Sequence, residues 1–117
     1  MRFEGRELKP YAEPVIANQL KEGDVYFSVQ FVDDDMLIPI VETWVFAGRK
    51  LDPEDEDDRL YFQDVESWRD GVRYGSPNAE TANFQAPTEN NINHIFEYER
   101  ALEVLMSCSL RRRKVLG

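Results

Sequence analysis

The longest apolar, β-branched and aromatic run in the chain spans Asp24 to Leu51, broken chiefly by Asp33, Asp34 and Asp35. Its polarity pattern predicts one long β-hairpin, the segment best suited to nucleate a core. Over 24–32, Val25, Phe27, Val29 and Phe31 alternate with Tyr26, Ser28 and Gln30, the period of two expected of a strand buried on one face. The stretch 33–36 supplies the turn, because aspartate side chains bond neighbouring backbone and tolerate unusual dihedrals. With no Asn-Gly or Asp-Gly present, a loop of about four residues is expected.

The second strand, 37–48, has a different pattern. Met36, Ile38, Ile40, Trp44 and Phe46 share one side, while Leu37, Val41, Val45 and Ala47 share the other, with Glu42 and Thr43 as polar interruptions. A strand apolar on both sides needs two covers or a place in a curled sheet. Pro39 has no N–H to give, which assigns it to the strand's start, a bulge or an unpaired position.

On either side of the hairpin the pattern is shorter in range. Residues 1–14, with Pro10 and Pro14, read as an extended arm lending Phe3, Leu8 or Tyr11 to the core edge. Two readings stand for 15–21. One is a short helix after Pro14 with Ile16 and Leu20 inward; the other is a brief Val15-Ile16 strand followed by a turn capped by Asn18. Residues 51–58 form an acidic loop, and 59–63 a third strand with Leu60 and Phe62 opposite Tyr61 and Gln63. Asp64 suits an N-cap for a helix over 65–70, with Gly71 just past its end. Val72 to Tyr74 could add a short strand, and 75–89 is a loop anchored by Phe84. Ile92, Ile95, Tyr98, Leu102, Leu105 and Met106 recur at helical spacing, predicting a helix over 90–112 with Glu97, Arg100, Glu103 and Ser107 outward. Arg111 to Lys114 then sit where cations offset the helix dipole.

Together these elements predict one α+β domain over 1–117. Its strongly bent antiparallel sheet has about four or five strands, with a C-terminal amphipathic helix packed on one face. The Leu20-Lys21-Glu22-Gly23-Asp24-Val25 entry into the hairpin is similar to a turn used by many SH3-like barrels, so a partial barrel is one form the bend could take. That likeness is one of fold alone.

Charge narrows the partners. The chain carries a net -9. Asp52 to Asp58 holds six carboxylates and Arg111 to Lys114 four cations, and the body is acidic without either segment. Such a body repels phosphate backbones and anionic lipid and favours basic or helical protein surfaces. The 111–114 tail is the one nucleic-acid-like feature, and helix capping already accounts for it. The start lacks the apolar stretch of a signal peptide, no run is long enough to span a membrane, and a single cysteine permits no internal disulfide. The expectation is a soluble cytoplasmic protein.

Candidate chemistry is sparse. His94 and Cys108, the only histidine and cysteine, fall fourteen residues apart on the predicted helix, about 21 Å along its axis, too far for a nucleophile–base pair. They cannot furnish a zinc shell. The 52–58 loop lacks the alternation, central glycine and closing glutamate of an EF-hand, and neither a phosphate cradle nor a Gly-x-Ser-x-Gly elbow occurs. No cofactor and no metal are therefore expected. Aromatic residues beside carboxylates are the remaining signal, since such surfaces grip basic or proline-rich peptides. Glu42, Trp44, Tyr61, Trp68 and Tyr74 are the candidate binding residues, with Trp44 also suited to the core. The leading expectation is a non-enzymatic interaction module, homodimeric, using acidic and aromatic surface. The alternatives are a small hydrolase or ligand-binding enzyme with paired carboxylates in a cleft beneath 75–89, and a nucleic-acid-associated protein acting through its basic tail.

Overall fold

The computed structural model describes residues 13–116, leaving aside the side chain of Leu116. The expected arm, apart from Glu13 and Pro14, lies outside the described residues. Five strands form one antiparallel sheet in the order β4-β3-β2-β1-β5. They are β1 (Val25–Phe31), β2 (Pro39–Arg49), β3 (Leu60–Asp64), β4 (Phe84–Gln85) and β5 (Ile95–Phe96). Two helices accompany them, α1 (Val65–Arg69) and α2 (Tyr98–Leu116). The sheet is curved and stays open, with β4 and β5 as its outer strands, so the bend expected of a partial barrel is present without closure.

The predicted hairpin is the sheet's centre. β1 and β2 pair from Val25↔Val45 to Phe31↔Pro39, which puts Pro39 at the strand's start, where its missing N–H costs the ladder least. The turn is held by Asp33, whose carboxylate accepts from the N–H groups of Leu37 (3.0 Å) and Ile38 (2.9 Å). Within it Met36 takes a left-handed backbone, φ 57°, an uncommon conformation for a residue with a side chain. At the other end of β2 a bulge between Phe46 and Gly48 shifts the register with β3. Gly48 sits there at φ 142°, and a Cβ would come within 2.9 Å of Leu51 Cδ2, so the bulge needs glycine.

Alternation along β1 and β2 sorts the core into two layers. On one sheet face Tyr26, Trp44, Phe46, Leu60 and Phe62 pack under Val15, Leu20, Ile92 and Ile95. On the other, Phe27, Val29, Phe31 and Phe96 pack under Ala101, Val104 and Leu105 of α2. The short α1 and the segment after it cover the neighbouring part of β2 and β3, where Gln63 is fully buried and donates to Ser67 Oγ (2.9 Å) and the Val72 carbonyl (2.8 Å). Beta-strand β2 is therefore covered twice, but only from Trp44 to Gly48; residues 40–43 are exposed.

Several expectations need correction. The C-terminal helix begins at Tyr98, eight residues later than predicted: 89–91 form a 3₁₀ turn and Ile95-Phe96 a strand. The Ile92–Ile95 spacing imitates a helix, but β1 has a free edge whose Phe27 and Ser28 pair with Phe96 and Ile95, and a pairing partner overrides a weak local period. The helix is also turned relative to the prediction. Ala101, Val104, Leu105 and Cys108 lie inward, Glu103 and Ser107 are buried, and Tyr98 and Met106 are exposed. The small side chain of Ala101 packs with Val29 and Phe96, and Cys108 is buried against the Leu37 carbonyl. No strand forms at 72–74, while Phe84 is more than a loop anchor, since Phe84-Gln85 adds to the sheet beside β3. Over 15–21 a 3₁₀ turn at Ala17–Gln19 follows extended Val15-Ile16, with Val15 and Leu20 buried and Ile16 exposed. The Asp64 cap forms as expected, accepting from Ser67 N–H at 3.0 Å.

Candidate functional site

A cleft of about 520 Å3 opens on the Trp44 face of the sheet. Register explains its content. Ser28 sits opposite Glu42 and Tyr26 opposite Trp44, and cross-strand partners share a face. Ser28, Gln30, Glu42 and Trp44 thus form the floor, and Gln85, Ala86, Pro87, Asn91 and His94 form the walls. Trp44 is buried and packs into the core, while Glu42, two residues along the same face, is exposed. His94 is placed by its own backbone, whose carbonyl accepts from Val29 N–H at 3.0 Å. Partial burial pushes its imidazole below the ordinary histidine range, leaving it neutral near pH 7.

The cleft lies beneath the end of the 75–89 segment. It contains one acidic side chain, Glu42, among hydroxyl, amide, imidazole and indole groups. That set can accept, donate and offer one negative charge beside an aromatic surface; it does not present the paired carboxylates that acid–base hydrolysis uses.

The five candidate residues divide into three places. Glu42 and Trp44 meet in the cleft. Tyr61 and Tyr74 meet elsewhere, edge to face at 4.9 Å, with Phe84 edge-on to Tyr74 at 5.4 Å. Their hydroxyls point into the acidic loop, Tyr61 donating to Asp55 (2.7 Å) and Tyr74 to Asp52 (2.8 Å). Burial first, then the Asp55 bond, raises the Tyr61 phenol; the Asp52 bond first, then burial, raises Tyr74. Asp52 is in turn held below the ordinary carboxylate range by the Glu54 N–H and then by Tyr74. Acidic and aromatic groups are adjacent here, but they satisfy one another and anchor the loop. Trp68 stands apart, partly buried, with the Arg73 guanidinium 3.5 Å from its ring centroid.

His94 and Cys108 belong to different elements, so their separation along one helix no longer applies. His94 lines the cleft, whereas Cys108 is buried on the α2 side with Sγ 3.5 Å from the Leu37 carbonyl oxygen. Arg111 and Arg112 belong to helix α2 and donate to the Met36 and Leu37 carbonyls (2.9 Å each). Among the described residues, no group of three or more His, Cys, Asp or Glu is placed to hold a metal ion, and no helix is long and apolar enough to cross a membrane. The sequence reading missed the cleft's walls. Ser28 and Gln30 were legible as the polar face of β1, but Gln85, Asn91 and His94 come from segments with no readable period.

No protein-family model, curated protein or solved structure matches the chain.

Proposed function

We propose that this chain is a non-enzymatic, cytoplasmic protein-interaction module whose cleft takes a basic side chain from an extended partner segment. The observation that carries the reading is the exposed Glu42 carboxylate beside the buried Trp44 indole on the floor of that cleft. A carboxylate offers a lysine or arginine head group a charge-assisted bond, and the small part of the indole that reaches the cleft offers its stem an apolar contact. Gln30, Gln85 and Asn91 supply amides for a partner's main chain, and the net charge of -9 steers basic segments toward the molecule. Gripping a peptide between a curved sheet and its loops is how small SH3-like modules work, and the proposal borrows that use of surface only.

The test is titration of a fluorescent lysine- and arginine-rich decapeptide into the full chain at low and at physiological salt. Glu42→Gln is expected to weaken binding about tenfold, and Glu54→Gln, in the acidic loop, to leave it within about twofold. Equal affinity for Glu42→Gln and the unaltered chain would sink the proposal. So would a loss confined to the loop variant.

A further inference from the structure

The exposed large apolar side chains are not spread evenly. Val32, Met36, Ile38, Ile40 and Val41 lie on the distal hairpin, and Met106, Leu110 and Val115 on the last half of α2. Both groups belong to the same end of the molecule, because Arg111 and Arg112 tie the end of α2 to the hairpin turn. Between them runs a groove of about 710 Å3 lined by Leu37, Ile38, Pro39, Leu105, Cys108 and Arg112. Met106 and Leu110, one turn apart on the same helix, are exposed as well. Ile40 and Val41 point to opposite faces of the sheet, so the exposed apolar side chains surround this end rather than one face of it. Exposed apolar surface gathered in this way marks an interaction site.

The backbone points the same way. Beta-strand β3 stops at the Trp44–Asp64 pair, so among the described strands residues 40–43 have a neighbour in β1 alone. Pro39 and Glu42 guard this edge against open-ended strand addition. Nothing comparable guards the side chains of Ile38, Ile40 and Val41.

We infer that this end is the interface of a closed homodimer, in which the distal hairpin and groove of one copy pack on those of a second. Charge selects the occupant. A chain of net -9 repels its own copies over most of its surface. At this end the turn that carries Asp33, Asp34 and Asp35 is tied to Arg111 and Arg112, and Arg113 and Lys114 follow them along α2. Three carboxylates and four cations thus belong to the two tied segments. Two copies related by a two-fold axis can set one copy's acids against the other's bases there, as an isologous contact requires. A strongly basic partner would meet those four cations and is better served by the acidic body. The turn is also held in shape, since its Asp33 and Met36 are both bonded in the single chain, so little ordering remains to oppose association.

The inference does not depend on the Glu42 cleft. Its test is sedimentation velocity on the full chain between about 1 and about 100 µM, the range in which an interface of standard size declares itself. The expected species at the upper end has twice the 13.7 kDa chain mass. The Ile38→Lys/Val41→Lys pair is expected to raise the dimer dissociation constant at least about tenfold while leaving the circular dichroism spectrum unchanged. Val25→Lys, equally exposed at the opposite end of β1, is expected to leave the dimer intact. Should the double variant unfold, Met106→Lys carries the same expectation from a helix position outside both core layers. A monomeric unaltered chain, open-ended oligomers, or a dimer that survives both sets of lysines would each overturn the inference.

Discussion

The two halves of β2 carry similar apolar chemistry and meet opposite surroundings. Trp44, Val45, Phe46 and Ala47 are buried, with relative exposures from 2 to 6%, while Ile40 and Val41 stand at 45 and 44%. Nothing in residue type separates Val45 from Val41. What separates them is neighbours. The proximal half lies between β1 and β3, with α1 on one side of the sheet and the 15–20 and 92–95 segments on the other. The distal half has β1 alone and projects beyond the point where β3 turns into α1. An apolar strand pattern states that cover is wanted; it does not state that the same chain provides it.

The largest expected effect breaks the comparison on its buried side. Phe62→Ala, at the centre of the Trp44 layer with 1% exposure, should cost about 3–5 kcal/mol in urea unfolding. A loss below about 1 kcal/mol would mean that this layer is loosely packed. Next comes the junction where β3 ends. Asp64 caps α1 and also accepts from Asn83 N–H at 2.8 Å, so Asp64→Ala should cost about 1–2 kcal/mol and loosen Phe84-Gln85, detectable as faster amide exchange at Asn83.

A pH series sharpens the role of that carboxylate. Desolvation raises the Asp64 value, but bonds from the Ser67 hydroxyl and from the Asn83 and Ser67 N–H groups outweigh it and hold it below the ordinary range. Desolvation likewise raises Asp33, and bonds from Ile38 and Leu37 together with the Arg111 charge more than reverse it. A carboxyl lowered on folding stabilises fully above its unfolded value of about 4 and loses that contribution as pH falls through the folded value. His94, lowered by burial, follows the same sign, with its loss beginning below about 6.5. Urea midpoints should therefore decline gently below about 6.5 and steeply below about 4, and Asp64→Asn should flatten the second fall. An unchanged slope in that variant would remove Asp64 from the account.

The smallest effect belongs to the exposed half. Ile40→Ala should change the stability of the single chain by less than about 0.5 kcal/mol, measured in dilute solution. A cost near 2 kcal/mol would show that residue 40 is covered within the chain and would erase the contrast between the two halves.

Much of the architecture was legible because it depends on short-range rules. The strand at 25–31, the turn aspartates, Asp64 as a cap and Gly71 behind it are all local, and each element has its expected place. But β1 is not covered on one face alone, as its alternation suggested. Tyr26 and Ser28 are buried on the second face while Val25 is exposed, because both core layers close on this central strand. The strand at 95–96 was not legible. Two residues carry no period, and β5 exists because β1 has a vacant edge to pair with. The rotation of α2 was hidden for a similar reason: Ala101 is a weak hydrophobe in a sequence count, but it packs in one cluster with Val29 and Phe96, while Cys108 is buried against the Leu37 carbonyl. Of the candidate residues, Glu42 and Trp44 could be placed on one strand face by counting. Their meeting with His94 and Asn91 could not.

By itself, then, the sequence determined an α+β chain built on a two-strand hairpin, with one strand asking for two covers, and with a net charge of -9. Period, capping and charge are properties of residues close together in the chain, and they survive without knowledge of the fold. Only the tertiary structure decided which apolar residues are covered, that Tyr61 and Tyr74 turn their hydroxyls onto the acidic loop, and that a polar cleft surrounds Glu42. Those outcomes depend on which distant segments reach the sheet first and where each strand stops, because burial and hydrogen bonding are settled between elements rather than within them.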